Sequence, residues 1–146
     1  PPPPPPFSSR RRHTRYRRSS RGLGDVYKRQ DLARAAAFYD ELLAEMGVTR
    51  MMELGERGYA WAAAMDKPML CVMTPYDGQP ATVGNGAMAG IAADSRDQVD
   101  RIYEKAIELG GSDEGAPGLR AEGGEGFYAA YFRDLDGNKL DVFSYG

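Results

Sequence analysis

Apolar residues recur every three to four positions in residues 31–47, DLARAAAFYDELLAEMG. This spacing is typical of a helix that buries one face, and the apolar face here carries Leu32, Ala36, Tyr39 and Leu43. Asp31 opens the segment and Gly47 closes it, and these residue types commonly cap helix ends. The pattern therefore predicts a first helix over residues 31–47.

A second segment, SRDQVDRIYEKAIELGG at residues 95–111, is built in the same way. Ser95 stands at the expected N-cap, two glycines close the segment, and the apolar stripe contains Val99, Ile102, Tyr103, Ala106 and Leu109. At an offset of 64 residues the two helical segments align, with Tyr39 on Tyr103. The chain therefore contains an internal repeat.

Short runs typical of β-strands follow each predicted helix. After the first helix these runs are 49–54, 59–64 and 69–73, and after the second they are a poorly defined segment near 119–122, then 127–132 and 139–143. Another run, AMAGIAA at 87–93, precedes the second helix. By symmetry a strand should precede the first helix as well, but only LGDVYKR at 23–29 is available. We interpret that strand as lost or replaced, with DVYKR drafted into its place.

Charge separates residues 1–30 from the rest of the chain. This segment begins with six prolines and holds nine Lys and Arg against one acid, whereas residues 31–146 hold ten against twenty. Its composition predicts disorder, because it offers too little apolar surface to offset the entropy of folding. The runs SSRRRHTRY and VYKRQ resemble translated sequencing-adapter sequence joined to a metagenomic fragment, so we interpret the segment as non-native. A nucleic-acid-binding arm and a transit peptide are the alternatives.

The remaining 116 residues, 31–146, have the size of one domain. Their acidic balance offers no patch for a phosphate backbone, so we expect no nucleic-acid partner. No apolar run approaches the roughly 18 residues that span a bilayer, so we expect no membrane partner. Cys71 is the single cysteine, which excludes an intrachain disulfide and fits a reducing, cytoplasmic location.

The predicted order of one strand, one helix and three strands occurs twice along the chain. This arrangement resembles the vicinal oxygen chelate superfamily, which includes glyoxalase I, bleomycin-resistance proteins and extradiol dioxygenases. The resemblance is carried by DLARAAAFYDELL, GNGAMAGIAADSRDQVDRIYEKAIELGG, DEGAPGLR and GFYAAYFRDLDGNKLDVF. It implies an α+β fold of two tandem βαβββ modules, 31–83 and 84–146. Their strands would form a curled mixed sheet around a cleft, with the helices on the outer face.

Alternation along the last strand predicts which side chains face that cleft. In KLDVF, Leu140 and Val142 should face the helices, so Lys139, Asp141 and Phe143 should face the cleft. In the aligned strand, MLCVM, Leu70 and Val72 should face the helices, so Met69, Cys71 and Met73 should face the cleft.

The acidic cluster in YFRDLDGNKLDVFSY, residues 131–145, has two readings, a calcium loop or a turn. A calcium-binding EF-hand loop requires glycine at its sixth position and glutamate at its twelfth, whereas Lys139 and Tyr145 stand there. Asp136, Gly137 and Asn138 instead suit a tight hairpin turn. The calcium reading therefore fails, and the sequence predicts a turn.

The resemblance also implies four positions for a divalent metal, on the first and last strands of each module. In this sequence they are Gly24, Cys71, Met88 and Asp141. Residues 31–146 contain no histidine, and zinc, iron or nickel needs several nitrogen or carboxylate ligands. We therefore expect no metal cofactor of the usual kind; a Cu(I) site from Cys71 and Met88 is a minor alternative.

Without a metal, the predicted function is the binding of a small organic ligand in the cleft. Flexible apolar and aromatic side chains would form its walls, namely Trp61 or Tyr59, Met69, Cys71, Met73, Met88, Tyr128 and Phe143. Arg120, in the predicted glycine-rich loop 114–126, would clamp an anionic group. The competing interpretation is that these residues fill the core or lie on the surface, with Cys71 a buried spectator.

The alternative function is a glyoxalase-type lyase or isomerase that uses either Asp141 as general base or a residual metal site. Asp141, walled by apolar groups, would act as general base, with Tyr128 or Arg120 holding the developing oxyanion. A structural Asp141 competes with this reading. Members of the resembling family often pair, so a homodimer is compatible with the sequence.

Overall fold

The computed structural model describes residues 28–146, with side chains from Leu32 onward. Two helices and seven strands follow one another along the chain: α1 Lys28–Ala44, β1 Thr49–Glu53, β2 Gly58–Ala62, β3 Leu70–Met73, β4 Ala89–Ala92, α2 Arg96–Glu108, β5 Ser112–Leu119, β6 Phe127–Arg133 and β7 Lys139–Tyr145. Two single turns of 3₁₀ helix lie at Gly55–Arg57 and Ala121–Gly123. The predicted α+β class is confirmed. Neither described helix is long and apolar enough to cross a membrane.

The strands form two sheets. In the first, β1, β2 and β3 are antiparallel neighbours, and in the second the order is β4-β7-β6-β5 with β4 parallel to β7. Within the described residues no strand pairing joins the two sheets, so the single curled sheet of the prediction is not formed there. The strand expected ahead of α1 falls at residues 23–29, of which 23–27 lie outside the described residues, and Lys28 and Arg29 belong to the helix.

Helix α1 begins at Lys28, three residues before the predicted start at Asp31. Its predicted apolar face is confirmed, because all four of its residues, Leu32, Ala36, Tyr39 and Leu43, are buried. The helix ends at Ala44, and Gly47 follows with a φ of +69°, a conformation that favours glycine. The Val48 amide then donates to the carbonyl of Leu43, which satisfies a carbonyl at the helix end.

Helix α2 confirms its predicted cap and stripe. The Ser95 Oγ accepts from the amide of Gln98 at 3.2 Å, and Val99, Ile102 and Ala106 have no exposed surface. The Gln98 side chain donates to the carbonyl of Glu45 at 3.3 Å, so it connects the end of α1 to the start of α2. One hydrophobic core contains residues of both modules, from Trp61 and Leu42 to Phe132 and Val142.

The turn between β6 and β7 confirms the hairpin interpretation of the acidic cluster. Asp134 is buried, and its carboxylate accepts from the amides of Asp136 and Asn138, each at 2.9 Å. Gly137 takes a φ of +83°. The Tyr39 hydroxyl donates to the same carboxylate at 2.5 Å, so helix α1 of the first module is tied to the turn of the second.

Strand β5 is the element that the sequence predicted wrongly. It was expected near 119–122 but runs over Ser112–Leu119, and a 3₁₀ turn follows at Ala121–Gly123. Its sequence, SDEGAPGL, has low strand propensity, and its pairing with β6 is interrupted twice by register shifts. A proline is tolerated because β5 is an edge strand. Pairing with β6 therefore overrides the local preference.

Candidate functional site

The second sheet has one face on the core and one open face. Leu140 and Val142 of β7 are buried in the core, as predicted, so Lys139, Asp141 and Phe143 lie on the opposite face. Across β6 their register partners are Arg133, Tyr131 and Ala129. Gly90 of β4 pairs with Asp141 on the other side. We call this surface, centred on Asp141, the open face.

Asp141 is the buried acid of the open face, with a residue exposure of 6%. Burial raises the pKa of its carboxyl, while a hydrogen bond from its own backbone and the charge of Lys139 act in the opposite direction. A Cβ at Gly90 would lie 3.1 Å from Asp141 Oδ1 and 3.4 Å from the Phe143 ring. The missing side chain of Gly90 therefore lets the carboxyl group and the Phe143 ring approach the backbone of β4 closely.

Aromatic rings border Asp141 on one side. Phe143 is half-buried and contacts Phe127, with 5.5 Å between ring centroids, and Tyr145, with 6.1 Å. These tilted and edge-on contacts hold the ring in place next to the carboxyl group. The predicted position of Phe143 on the open face is confirmed, and its contact with a ligand stays a prediction.

Cations border Asp141 on the other side. Lys139 Nζ lies 5.6 Å from the Tyr131 ring centroid and 4.0 Å from Glu114 Oε2. Arg133 Nε donates to Glu114 Oε1 at 2.5 Å. Next to these side chains lies an open cleft of about 420 Å³, which is also lined by the linker of residues 83–88. We call it the linker cleft.

Met88 lines the linker cleft with 48% of its surface exposed. It lies one residue before β4, and the residue that pairs with Asp141 is Gly90. Met88 is therefore grouped with Lys139 and Arg133. Its contact with a ligand stays a prediction.

Cys71 approaches the second module from β3. It pairs with Ala60 and is half-buried. With Ala89, Lys139 and Leu140 it lines a cavity of about 10 Å³, which has room for about one water molecule. The two modules therefore meet at Cys71, but this gap is too small for an organic ligand.

Met69 and Met73 flank Cys71 and are half-buried. Met73 packs over Gly58, because a Cβ at Gly58 would lie 2.9 Å from Met73 Cγ. Behind them Val72 is buried in the core and Leu70 packs against it, as predicted. Their role as ligand walls stays a prediction.

The predicted position of Trp61 in the cleft is wrong. Trp61 has no exposed surface and its indole Nε1 donates to Asp40 Oδ1 of α1 at 2.7 Å. Its ring also contacts the Tyr39 ring at 5.5 Å. The register explains the orientation, since Trp61 pairs with Leu70 and Tyr59 with Val72, both on the side of the core. Tyr59, the other candidate for this wall, therefore shares that side.

The predicted position of Tyr128 is also wrong. It pairs with Ser144 and its hydroxyl donates to Asp100 of α2 at 2.8 Å, while the Arg96 guanidinium lies 5.3 Å from its ring. The hydrogen bond to Asp100 raises the pKa of Tyr128. Tyr128 therefore faces the helix and lies on the wrong side of the sheet to hold an oxyanion near Asp141.

Arg120 follows β5, so the predicted loop 114–126 is a strand in its first part. Its guanidinium donates to the carbonyl of Ala116 and lies 5.5 Å from the Tyr131 ring centroid. Its buried Nε has no hydrogen-bond partner among the described residues. The side chain is therefore held over the open face, although whether it clamps a ligand stays a prediction.

Sequence reasoning missed three residues of this surface, Gly90, Tyr131 and Arg133. In FYAAYFR, aromatic residues occur at both parities, so alternation alone does not separate Tyr128 from Tyr131. The register between β6 and β7 does separate these two tyrosines, because it pairs Tyr131 with Asp141. Gly90 has no side chain, so no sequence pattern marks it. Only its pairing with Asp141 shows that it belongs to this surface.

The donor set does not fit the divalent metal implied by the fold. Cys71, Met88 and Asp141 supply one thiol, one thioether and one carboxylate, and the fourth position, Gly24, lies outside the described residues. Among the described residues no group of three or more His, Cys, Asp and Glu side chains is placed to hold a metal ion. Zinc, iron and nickel require more nitrogen or oxygen ligands than this set supplies.

Comparisons with known proteins agree with this architecture. The family profile for the Glyoxalase/Bleomycin resistance protein/Dioxygenase superfamily matches residues 26–142. The chain is similar to a glyoxalase/bleomycin resistance protein from Albidiferax ferrireducens, at 33% identity over 88% of this chain and 98% of that one, with a TM-score of 0.69. No curated protein sequence matches it.

Two further solved structures share the fold at lower identity. A lactoylglutathione lyase from Agrobacterium tumefaciens is 21% identical over 86% of this chain and 90% of that one, with a TM-score of 0.57. A glyoxalase-related enzyme from Fulvimarina pelagi is 16% identical over 86% of each chain, with a TM-score of 0.60. Since the family profile spans most of the sequence, the chain belongs to the Glyoxalase/Bleomycin resistance protein/Dioxygenase superfamily.

Proposed function

We propose that the protein binds a small, partly apolar organic molecule on the open face and uses no divalent metal of the family's usual kind. The observation that supports this best is the environment of Asp141. Its buried carboxyl has a raised pKa and lies between the exposed backbone of Gly90 and the Phe143 ring. A ligand hydroxyl or amide would satisfy the carboxyl there, and apolar ligand atoms would cover the ring.

The metal-free part of the proposal rests on donor chemistry. Asp141 is the one oxygen ligand at the three described family positions, and its neighbours Met88 and Cys71 are soft sulfur donors. A hard or borderline divalent ion would gain too few contacts to be held.

Metal binding can be tested directly. Dialysis of the purified protein against zinc and nickel salts, followed by metal analysis, should leave less than stoichiometric metal after washing. Tight binding at one ion per chain that disappears in Asp141→Asn would contradict the proposal.

Ligand binding can be tested with a fragment library followed by ligand-observed NMR. Hits should compete for one site and lose affinity by about tenfold in Phe143→Ala, because the variant removes much of the apolar wall. Tyr76→Ala is the matched control, since Tyr76 is 92% exposed. Fragments that bind both variants equally would place the site elsewhere.

A second candidate function is a glyoxalase-type lyase or isomerase, favoured by the raised pKa of Asp141. The Asp141 carboxylate would take a proton from a carbon next to a carbonyl group, and Arg120 would stabilise the enolate oxygen. Such an enzyme should gain activity as pH rises through the raised pKa, because only the ionised carboxyl acts as base. A turnover assay in which Asp141→Asn keeps the full rate would remove this candidate.

The expected partners follow from the acidic composition of residues 31–146, which hold twenty acids against ten Lys and Arg. We propose a small-molecule ligand, no nucleic-acid partner and no membrane partner. A homodimer and a cytoplasmic location stay predictions, the first to be checked by light scattering of the purified protein.

A further inference from the structure

The linker cleft has two walls of different kinds. One wall is the linker, residues 83–88, which connects the two modules, and the other is formed by Arg133 and Lys139 at adjacent ends of β6 and β7. At about 420 Å³ the cleft has the volume of a small-molecule site. It adjoins the open face, because Lys139 lies two residues before Asp141 on the same side of β7.

The linker wall is held against the second module. Val83 packs on the β6–β7 turn, where a Cβ at Gly137 would lie 3.1 Å from Val83 Cγ1. A tight turn follows, in which the Ala87 amide donates to the Gly84 carbonyl at 2.8 Å. Gly84 and Gly86 take φ values of +66° and +84°, so this turn depends on glycine.

The opposite wall is lined by two cations, Arg133 and Lys139. Arg133 Nε donates to Glu114 at 2.5 Å and its Nη1 donates to the carbonyl of Gly137 at 2.8 Å, so its guanidinium is held in place. Lys139 Nζ lies 4.0 Å from Glu114. The pKa of Glu114 is lowered, chiefly by its hydrogen bond from Arg133. Glu114 therefore faces both cations, and the charged side chains that line the cleft itself are Arg133 and Lys139.

These two lining cations stand out in an acidic domain. Residues 31–146 hold only ten of the chain's Lys and Arg, and two of those ten meet at this cleft. Long-range attraction from the rest of the domain does not favour anions, so an anion would be bound only by local contacts. Lys139 has donors free for such a contact, since an ammonium group carries three.

We infer that the linker cleft binds the anionic group of the ligand, a carboxylate or a phosphate, between Lys139, Arg133 and the linker turn. The inference rests on the proposed function and narrows it to molecules with a negative group joined to a partly apolar body. The body would extend along β7, about 7 Å to Asp141 and about 13 Å to Phe143, because a strand rises about 3.3 Å per residue.

The test uses inorganic phosphate and acetate as separate probes, titrated into the protein while backbone amide shifts are followed by NMR. Saturable shifts at the amides of residues 84–88 are expected for at least one probe, and the tighter one identifies the group. Lys139→Gln should weaken that binding about tenfold, the usual worth of one charge-assisted hydrogen bond. Lys67→Gln, which removes an exposed lysine paired with Asp66, should leave it unchanged.

A second variant should increase the affinity for the probe. Glu114→Gln removes the carboxylate shared by the two cations, so the probe should bind severalfold tighter. Glu104→Gln makes the same change in net charge at an exposed position of α2 and should have no effect.

The inference is overturned if neither probe gives saturable shifts at the linker, or if Lys139→Gln binds the probe as wild type does. Equal gains from Glu114→Gln and Glu104→Gln would also overturn it, because net charge alone would then explain the effect. The proposed function would be contradicted by a different result, namely fragments whose affinity is unchanged in Phe143→Ala.

Discussion

Strands β3 and β7 occupy equivalent places in the internal repeat, yet they present different chemistry. Around Cys71 the first strand turns two methionines away from the core, and around Asp141 the second turns a lysine and a phenylalanine. The polar partners of the first sheet lie behind it, where Asp40 of α1 accepts from Trp61 and Arg50. The polar contacts of the first sheet therefore lie on its helix side, whereas the second sheet has them on both sides, with Tyr128 bonded to Asp100 of α2 and Asp141 on the open face.

The largest expected effect concerns the contacts that hold α1 against the first sheet. Trp61→Ala should lower the free energy of unfolding by about 3–5 kcal/mol, because it empties a fully buried site and leaves Asp40 without one donor. Chemical denaturation measures the loss. Trp61→Phe keeps most of the volume and should cost clearly less. A loss below about 1 kcal/mol for the alanine variant would contradict the central place of Trp61 in the core.

A smaller effect tests the connection between the modules. Tyr39→Phe removes the donor to Asp134 and should cost about 1–2 kcal/mol, because the buried carboxylate keeps its other hydrogen bonds. Thermal unfolding measures it, with Tyr76→Phe as the exposed control. An unchanged stability would mean that the turn does not depend on α1.

The third prediction concerns pH and the open face. The folded-state pKa of Asp141 is raised, so the stability that its protonated form contributes is present below the unfolded pKa of about 3.9 and is lost as pH rises through the folded pKa. Asp141→Asn should therefore gain stability relative to wild type as pH rises through this window. Urea unfolding at several pH values measures the difference, with Asp66→Asn as an exposed control. A gap that stays constant with pH would refute the burial effect.

The smallest stability effect sharpens the role of Gly90. Gly90→Ala places a methyl group near Asp141 Oδ1, which the carboxyl accommodates by rotating, so the stability should change by less than about 1 kcal/mol. The pKa of Asp141, followed by NMR of its carboxyl carbon, should rise further as water is excluded. Gly118→Ala adds a methyl group in the same sheet at an ordinary contact distance and should leave that pKa unchanged. A lowered pKa in Gly90→Ala would show that the added methyl group does not exclude water from the carboxyl group.

Local patterns account for the correct predictions. The apolar faces of α1 and α2, the Ser95 cap and the turn at Gly137 each depend on residues within a few positions of one another. Alternation in β7 also predicted correctly which side chains face the core, because the apolar residues Leu140 and Val142 lie on the same side of the strand. From this alternation the position of Asp141 on the open face followed directly.

The wrong predictions involve register or edge pairing. Trp61 and Tyr128 were placed on the open side because they are aromatic, whereas cross-strand pairing with Leu70 and Ser144 puts them on the side of the helices. A shift of one residue reverses the face of every side chain in a strand, and a sequence with aromatic residues at both parities does not reveal the shift. Strand β5 was misplaced because its pairing with β6 compensates for glycine and proline.

The sequence by itself determined the two helices and the position of Asp141 on the open face, since hydrophobic periodicity is a local property of the chain. Tertiary structure decided which residues surround that carboxyl. Gly90 comes from 51 positions earlier in the chain, and Tyr131 from 10. Their proximity to Asp141 depends on strand register, and the register is set by how both sheets pack against one shared core.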